Sequence, residues 1–191
     1  MNVHAKLPAH LLAVEDFLAF VESRPDEERW ELIEGEPVLS PSANRRHQII
    51  VGNLLSSIRS KRKPHGTAWE VIPGIGVKLS LTSAPVPDLL IRPFDNLEGH
   101  VCDDVIVAFE VLSSSTADHD LRWKRRNYAT LPSLQHYVVV AQDDVEVLVF
   151  DRATDFAERR TLDIEASLAL PALGLSLALR DIYENAGVAH G

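Results

Sequence analysis

Apolar residues at 11, 14, 17, 18 and 21 follow the spacing of one helical face and predict a helix over Leu11–Val21, ended by Pro25 and the acidic run Asp26–Glu28. The pattern then shifts to short strands. Trp30–Leu39 predicts a hairpin turning at Glu34-Gly35, with Pro37 marking its second strand as an edge. Asn44 suits the cap of a helix reaching about Lys63, with Ile50, Val51, Leu54, Leu55 and Ile58 in one stripe and Pro64-His65-Gly66 as its stop. Strands follow at Thr67–Ile72, Ile75–Leu81, 86–91 and 105–112. A helix reaches Thr130, capped by Ser115 or Thr116 with Asp118 at capping-box spacing from Ser115. His136–Val140 and Val145–Phe150 predict a second hairpin, and the tail is weakly patterned, with a strand at Leu175–Leu179 and a frayed end. This order predicts an α/β (α+β) domain, a mixed central sheet flanked by helices, with a helix and hairpin at its N-terminal side.

Two acids interrupt the apolar strands. Pro85–Ile91 and Val105–Leu112 each carry one carboxylate, Asp88 and Glu110. An acid in a buried strand is costly unless it is paired or bound to a cation. Asp88, straight after Pro87, also fits a strand mouth facing solvent. Glu110 shares its strand face with Ala108 and Leu112 and needs a partner. Two acids on neighbouring strands suit a hard divalent ion, Mg²⁺ or Mn²⁺, which binds one or two carboxylates together with water and substrate phosphate. Lys124 on the next helix adds a cation. Asp120, one turn earlier, is a candidate supporting residue that would orient this ammonium, with a plain surface Asp120–Lys124 pair as the alternative.

At 191 residues, with 46% hydrophobic and 25% charged side chains, the chain reads as one domain, 1–191, able to bury a core. A single cysteine, Cys102, no apolar run near the ~20 residues of a membrane span and no secretory layout at the start point to a cytoplasmic protein without a membrane partner. The net charge of −9 argues against nucleic acid, but its distribution argues the other way. Residues 1–40 hold three basic and nine acidic side chains, whereas residues 41–80 hold seven basic ones and Glu70 alone. Arg45, Arg46 and Arg59 in that segment, with Arg122, Arg125 and Arg126 after the carboxylate strands, are candidate nucleic-acid contacts. Solvated helix faces explain the same residues equally well.

Pro87-Asp88 followed by Glu110-Val111-Leu112 resembles the signature of the PD-(D/E)XK nuclease superfamily. Further blocks occur in order: Trp30–Glu36, Ser40-Pro41 with His47-Gln48, Glu110–Ser113 with Ser115-Thr116, Asp120 with Lys124, and Tyr128-Ala129. Together they resemble the Uma-type family of restriction-endonuclease-like proteins over about residues 12–151, with 152–191 as an extension. The resemblance implies a restriction-endonuclease-like core, Asp88 and Glu110 as Mg²⁺ (or Mn²⁺) ligands, and Lys124 as the catalytic lysine. That lysine is displaced to the next helix because Leu112 occupies its usual strand position. The resemblance also implies supporting roles for Glu31, as a ligand, and His47, as a supporting or proton-transfer group, although an ordinary helix N-terminal histidine fits His47 as well. Ser114 departs from the proline usual there, and Trp123 reads as core before it reads as a base-stacking platform. The function implied is a metal-dependent endonuclease cutting phosphodiester bonds, DNA foremost, with a homodimer left open. The competing expectations are a catalytically silent domain that binds nucleic acid or protein, and an RNA-directed nuclease.

Overall fold

The computed structural model describes residues 10–25, 27–61, 68–94, 99–112 and 117–188, with side chains from residue 121 onward in the helix that begins at Ala117. In chain order its elements are α1 (Val14–Glu22), β1 (Trp30–Ile33), β2 (Glu36–Leu39), α2 (Arg45–Ser60), β3 (Trp69–Pro73), β4 (Gly76–Val77), β5 (Leu89–Pro93) and β6 (Val101–Cys102). There follow β7 (Val107–Leu112), α3 (Ala117–Tyr128), β8 (His136–Ala141), β9 (Val147–Asp151), β10 (Glu158–Thr161), β11 (Ser167–Leu170), β12 (Leu175–Ala178) and α4 (Leu179–Ile182).

The centre is a six-stranded sheet in the order β10-β9-β8-β7-β5-β3. Its neighbours pair antiparallel except β7 and β8, which run parallel. A parallel pair needs a crossover, and α3 supplies it, so α3 is drawn across one face of the sheet. Alternation along β7 then assigns each side chain to a layer. Val107, Phe109 and Val111 join Ile50, Leu54 and Ile58 of α2 in one core, while Ala108 joins Tyr128, Tyr137 and Phe150 in the other. Glu110 falls on the second face, the one α3 covers. A third cluster, Leu12, Val14, Phe17, Trp30, Leu32 and Ala84, seats α1 against the β1–β2 hairpin.

The hairpin turns at Glu34 (φ 51°) and Gly35 (φ 87°), as expected of a two-residue turn that matches strand twist. Gly35 has a second reason to be glycine: a Cβ there would lie 2.8 Å from Leu11 Cβ. Pro37 sits on β2, which among the described residues pairs only with β1. Asn44 caps α2, accepting the His47 N–H at 3.0 Å.

Several expectations need correction. α1 starts at Val14. α2 ends at Ser60, and the stop at 64–66 lies outside the described residues, as does Thr67. The strand expected over Ile75–Leu81 shrinks to Gly76–Val77, paired in parallel with β6. Gly76 and Lys78 N–H donate to the carbonyls of His100 and Cys102, whereas Val77 N–H donates to that of Pro85 and Leu79 N–H to that of Ser83, so the ladder to β6 stops there. β5 begins at Leu89 rather than 86, because Pro85 and Pro87 have no N–H to give a ladder. α3 ends at Tyr128, where a turn of Thr130 and Leu131 onto Asn127 and Tyr128 takes over. The cap residues Ser115 and Thr116, and the Asp118 side chain, lie outside the described residues.

The tail is ordered into the fold. β10 extends the central sheet, β11 and β12 form a hairpin, and Leu168, Leu177, Ile182, Tyr183 and Val188 are buried in the α2 core. The end expected to fray is therefore packed as far as Val188. No helix among the described residues is long and apolar enough to cross a membrane.

Candidate functional site

Pro85-Val86-Pro87 delivers Asp88 to the mouth of β5. The β5–β7 register pairs Leu89 with Phe109 and Leu90 with Ala108, so one step further sets Asp88 across from Glu110. Asp88 Oδ2 is fully engaged: it accepts the Val111 N–H at 2.8 Å and lies 3.1 Å from His47 Nε2. An ionised carboxylate only accepts, so Nε2 carries the proton in that contact. His47 reaches Asp88 from the first turn of α2, and its Nδ1 is buried without a hydrogen-bond partner among the described residues. Asp88 Oδ1 faces Arg29, whose Nη1 is 3.8 Å away.

Across the strand, Glu110 and Lys124 are 3% and 4% exposed. The crossover brings Lys124, two turns into α3, over the carboxylate strand. Its Nζ lies 3.0 Å from Glu110 Oε1 and 3.8 Å from Glu31 Oε1. Glu31 Oε1 also accepts the Val86 N–H at 3.1 Å, tying the hairpin to the Pro-Val-Pro-Asp loop. Burial pushes the Glu110 carboxyl up to about 8, and the charges of Asp88 and Glu31 add to the rise while Lys124 opposes it. Desolvation outweighs the nearby ammonium.

Asp88, Glu110, Lys124, Glu31 and His47 all line one cleft of about 340 Å³, walled on one side by Val38, Leu39 and Pro41. The Asp120 side chain lies outside the described residues. Trp123 is buried and donates its Nε1–H to Glu34 at 2.9 Å, a core role. The six arginines divide. Arg45 and Arg59 are exposed on α2, and Arg122 and Arg126 on α3. Arg46 pairs with Asp143 at 3.1 Å. Arg125 turns inward, donating to the Phe156 carbonyl at 2.6 Å with its guanidinium 4.6 Å from the Phe150 ring centroid. Three cleft residues were missed from the sequence: Arg29, Asn44 as more than a cap, and Gln142, whose Oε1 accepts from Asn44 Nδ2 at 3.3 Å. No spacing rule singles out a lone arginine or glutamine; adjacency to Trp30-Glu31 was the only available signal for Arg29.

The donor set fits a hard divalent cation. Asp88 keeps Oδ1 toward the cleft, Glu110 is a buried acid whose charged form is disfavoured, and Glu31 adds a third carboxylate against the Lys124 ammonium. A positive ion would relieve that excess. No group of three His, Cys, Asp or Glu side chains among the described residues forms an all-protein cage. Mg²⁺ needs none, since it takes one or two carboxylates and completes its shell with water and phosphate.

The mixed six-stranded sheet flanked by helices, with Asp88 at the mouth of β5 opposite Glu110 within β7, belongs to the restriction-endonuclease-like class of fold. The sequence matches the family model Uma2, described as "Putative restriction endonuclease", over residues 14–180. The chain belongs to the Uma2 family. An uncharacterized protein of Synechocystis is 40% identical over 76 residues, a segment covering 39% of this chain and 40% of that relative. The crystal structure of a protein from Anabaena variabilis, described as a putative nuclease belonging to DUF820, superposes with a TM-score of 0.74 at 18% identity. It covers 90% of this chain and 97% of its own, a likeness of fold.

Proposed function

We propose that this chain is a metal-dependent endonuclease hydrolysing phosphodiester bonds in DNA. Membership of the Uma2 family supports a nuclease. The observation that carries the reading is the position of Lys124 Nζ, 3.0 Å from Glu110 on the floor of the cleft that Asp88 enters from the neighbouring strand. Asp88 Oδ1 and Glu110 would hold Mg²⁺ or Mn²⁺, which when bound supplies Lewis acidity for water attack and offsets charge on the leaving oxygen. The chain's own residues do the rest. Val111 N–H and His47 fix the Asp88 carboxylate through Oδ2, leaving Oδ1 directed at the cleft. Glu31 anchors the loop two residues before Asp88 through Val86 N–H. Lys124 presents a buried cation where charge builds on the phosphate, an effect worth far more in a water-poor cleft than in bulk solvent. Exposed Arg45, Arg122 and Arg126 are proposed contacts to the nucleic-acid backbone.

The competing reading is a catalytically silent domain, favoured by the fact that Lys124 Nζ already stands 3.0 Å from Glu110 Oε1, where a metal ion would bind. Incubating plasmid DNA and an RNA transcript of matched sequence with the chain in Mg²⁺, Mn²⁺ or EDTA separates the possibilities. The proposal expects DNA cleavage with either metal and none in EDTA, abolished by Glu110→Gln. Binding without cleavage under all conditions supports the silent domain, and cleavage of RNA alone supports the RNA-directed nuclease.

A further inference from the structure

We propose that Arg29 contacts the substrate directly, gripping a backbone phosphate at the mouth of the cleft. The inference rests on the nuclease reading and adds a residue to it.

Arginines with a structural task in this fold spend their donors on named acceptors. Arg92 is 7% exposed and donates to both oxygens of Asp104 at 2.9 Å and to Glu70 at 3.2 Å. Arg152 donates to the carbonyls of Leu134 and Leu131, and Arg125 to that of Phe156. Arg29 behaves differently. Its side chain is 43% exposed, and its Nη1 stands 3.8 Å from Asp88 Oδ1, beyond hydrogen-bond distance. Among the described residues no side-chain hydrogen bond from Arg29 is present.

Nor does Asp88 depend on it. Oδ2 already holds the Val111 N–H and His47, so the carboxylate is oriented without a guanidinium. The Arg29 backbone, in contrast, is fixed, because its carbonyl accepts the Ser40 N–H at 2.8 Å and closes the open end of the β1–β2 hairpin. A rooted arginine with an unspent fork of donors therefore stands over the carboxylates.

Charge explains why the cleft needs one. Glu31 and Asp88 face inward beside a single ammonium, Lys124, and an approaching phosphodiester adds another negative charge. A guanidinium at the mouth offsets that repulsion, and its planar fork matches two phosphate oxygens at once. The 3.8 Å contact with Asp88 is loose enough to be exchanged for such a pair.

The test is fluorescence anisotropy of a labelled DNA duplex with the full chain in metal-free buffer, at several salt concentrations, for the parent, Arg29→Ala and Arg29→Lys, with thermal melts alongside. Arg29→Ala is expected to weaken binding on the order of tenfold irrespective of sequence and to lower the slope of log K against log salt by about one. Arg29→Lys should keep the slope while recovering only part of the affinity, since a point charge cannot fork. An Arg29→Ala chain with parental affinity and slope overturns the proposal, as does one that melts earlier with its slope unchanged. In both cases DNA binding by the parent leaves the nuclease reading standing. A parent that neither binds the duplex nor cuts it with Mg²⁺ overturns both.

Discussion

Replacing Glu110 by glutamine should stabilise the fold above mildly acidic pH while abolishing cleavage. The carboxyl is buried beneath α3, and its acidity moves from an ordinary 4.5 to about 8, mainly through desolvation. The protonated form is thus the one the fold prefers. The stability this group contributes is complete below pH 4.5 and is lost as pH climbs through about 8. At 1.36 kcal/mol per pH unit the loss approaches about 3 kcal/mol by pH 7 and about 5 kcal/mol over the whole window. Glutamine copies the protonated state and does not titrate. Lys124 works against this, since it loses a charged partner at 3.0 Å. Yet the value near 8 arises with Lys124 in place, so burial outweighs the pair, and Glu31 at 3.8 Å remains for the ammonium. Water entering the cleft screens part of the penalty, leaving about 1–3 kcal/mol, or roughly 2–10 °C in melting temperature for a chain of this size. Circular-dichroism melts of both proteins at pH 5, 7 and 9 in EDTA should show a gap that widens with pH. Added Mg²⁺ should then raise the parent alone. A variant less stable than the parent at pH 8, or a gap independent of pH, would mean that burial does not hold Glu110 in its protonated form.

Lys124→Ala should fold normally, because burial already favours the protonated form of Glu110 near neutral pH and the substitution leaves no unpaired charge there, and should cleave about 10²–10⁴ more slowly; single-turnover rates equal to the parent's would remove Lys124 from the mechanism. Arg126→Ala, exposed on the same helix, should lose far less rate under the same assay. Arg125→Ala should lower stability by about 1–2 kcal/mol through the lost Phe156 carbonyl bond and Phe150 contact; an unchanged melting temperature would show that its inward placement is energetically idle.

Local chemistry made parts of this fold legible. Glu34-Gly35 announced a turn that needs positive φ, and Asn44 announced a cap, because both act within a few residues. The alternation around Glu110 marked it as a buried acid, and the family resemblance pointed to the displaced lysine, which the crossover between the parallel strands β7 and β8 carries to Glu110. What failed depended on partners distant in sequence. Ile75–Leu81 has strand-like composition, but its amides divide between β6 and the loop carbonyls at Ser83 and Pro85, which leaves no continuous ladder. Glu158-Arg159-Arg160 gives no strand signal because β10 is an exposed edge strand, so neither face selects apolar side chains. Nor does any local pattern announce the contacts of Arg46 with Asp143 and of Arg125 with the Phe156 carbonyl, partners far along the chain. Arg29 and Gln142 became visible only once the cleft brought them to Asp88 and Asn44.

Anomalous diffraction from crystals of the full chain soaked in Mn²⁺ decides whether Asp88 and Glu110 hold one divalent cation between them. A single strong peak is expected within coordination distance of Asp88 Oδ1 and a Glu110 oxygen, with Lys124 Nζ moved off Glu110, and no such peak in Asp88→Asn. A Mn²⁺ ion bound elsewhere, or none while Lys124 keeps its 3.0 Å contact with Glu110, would contradict a shared site.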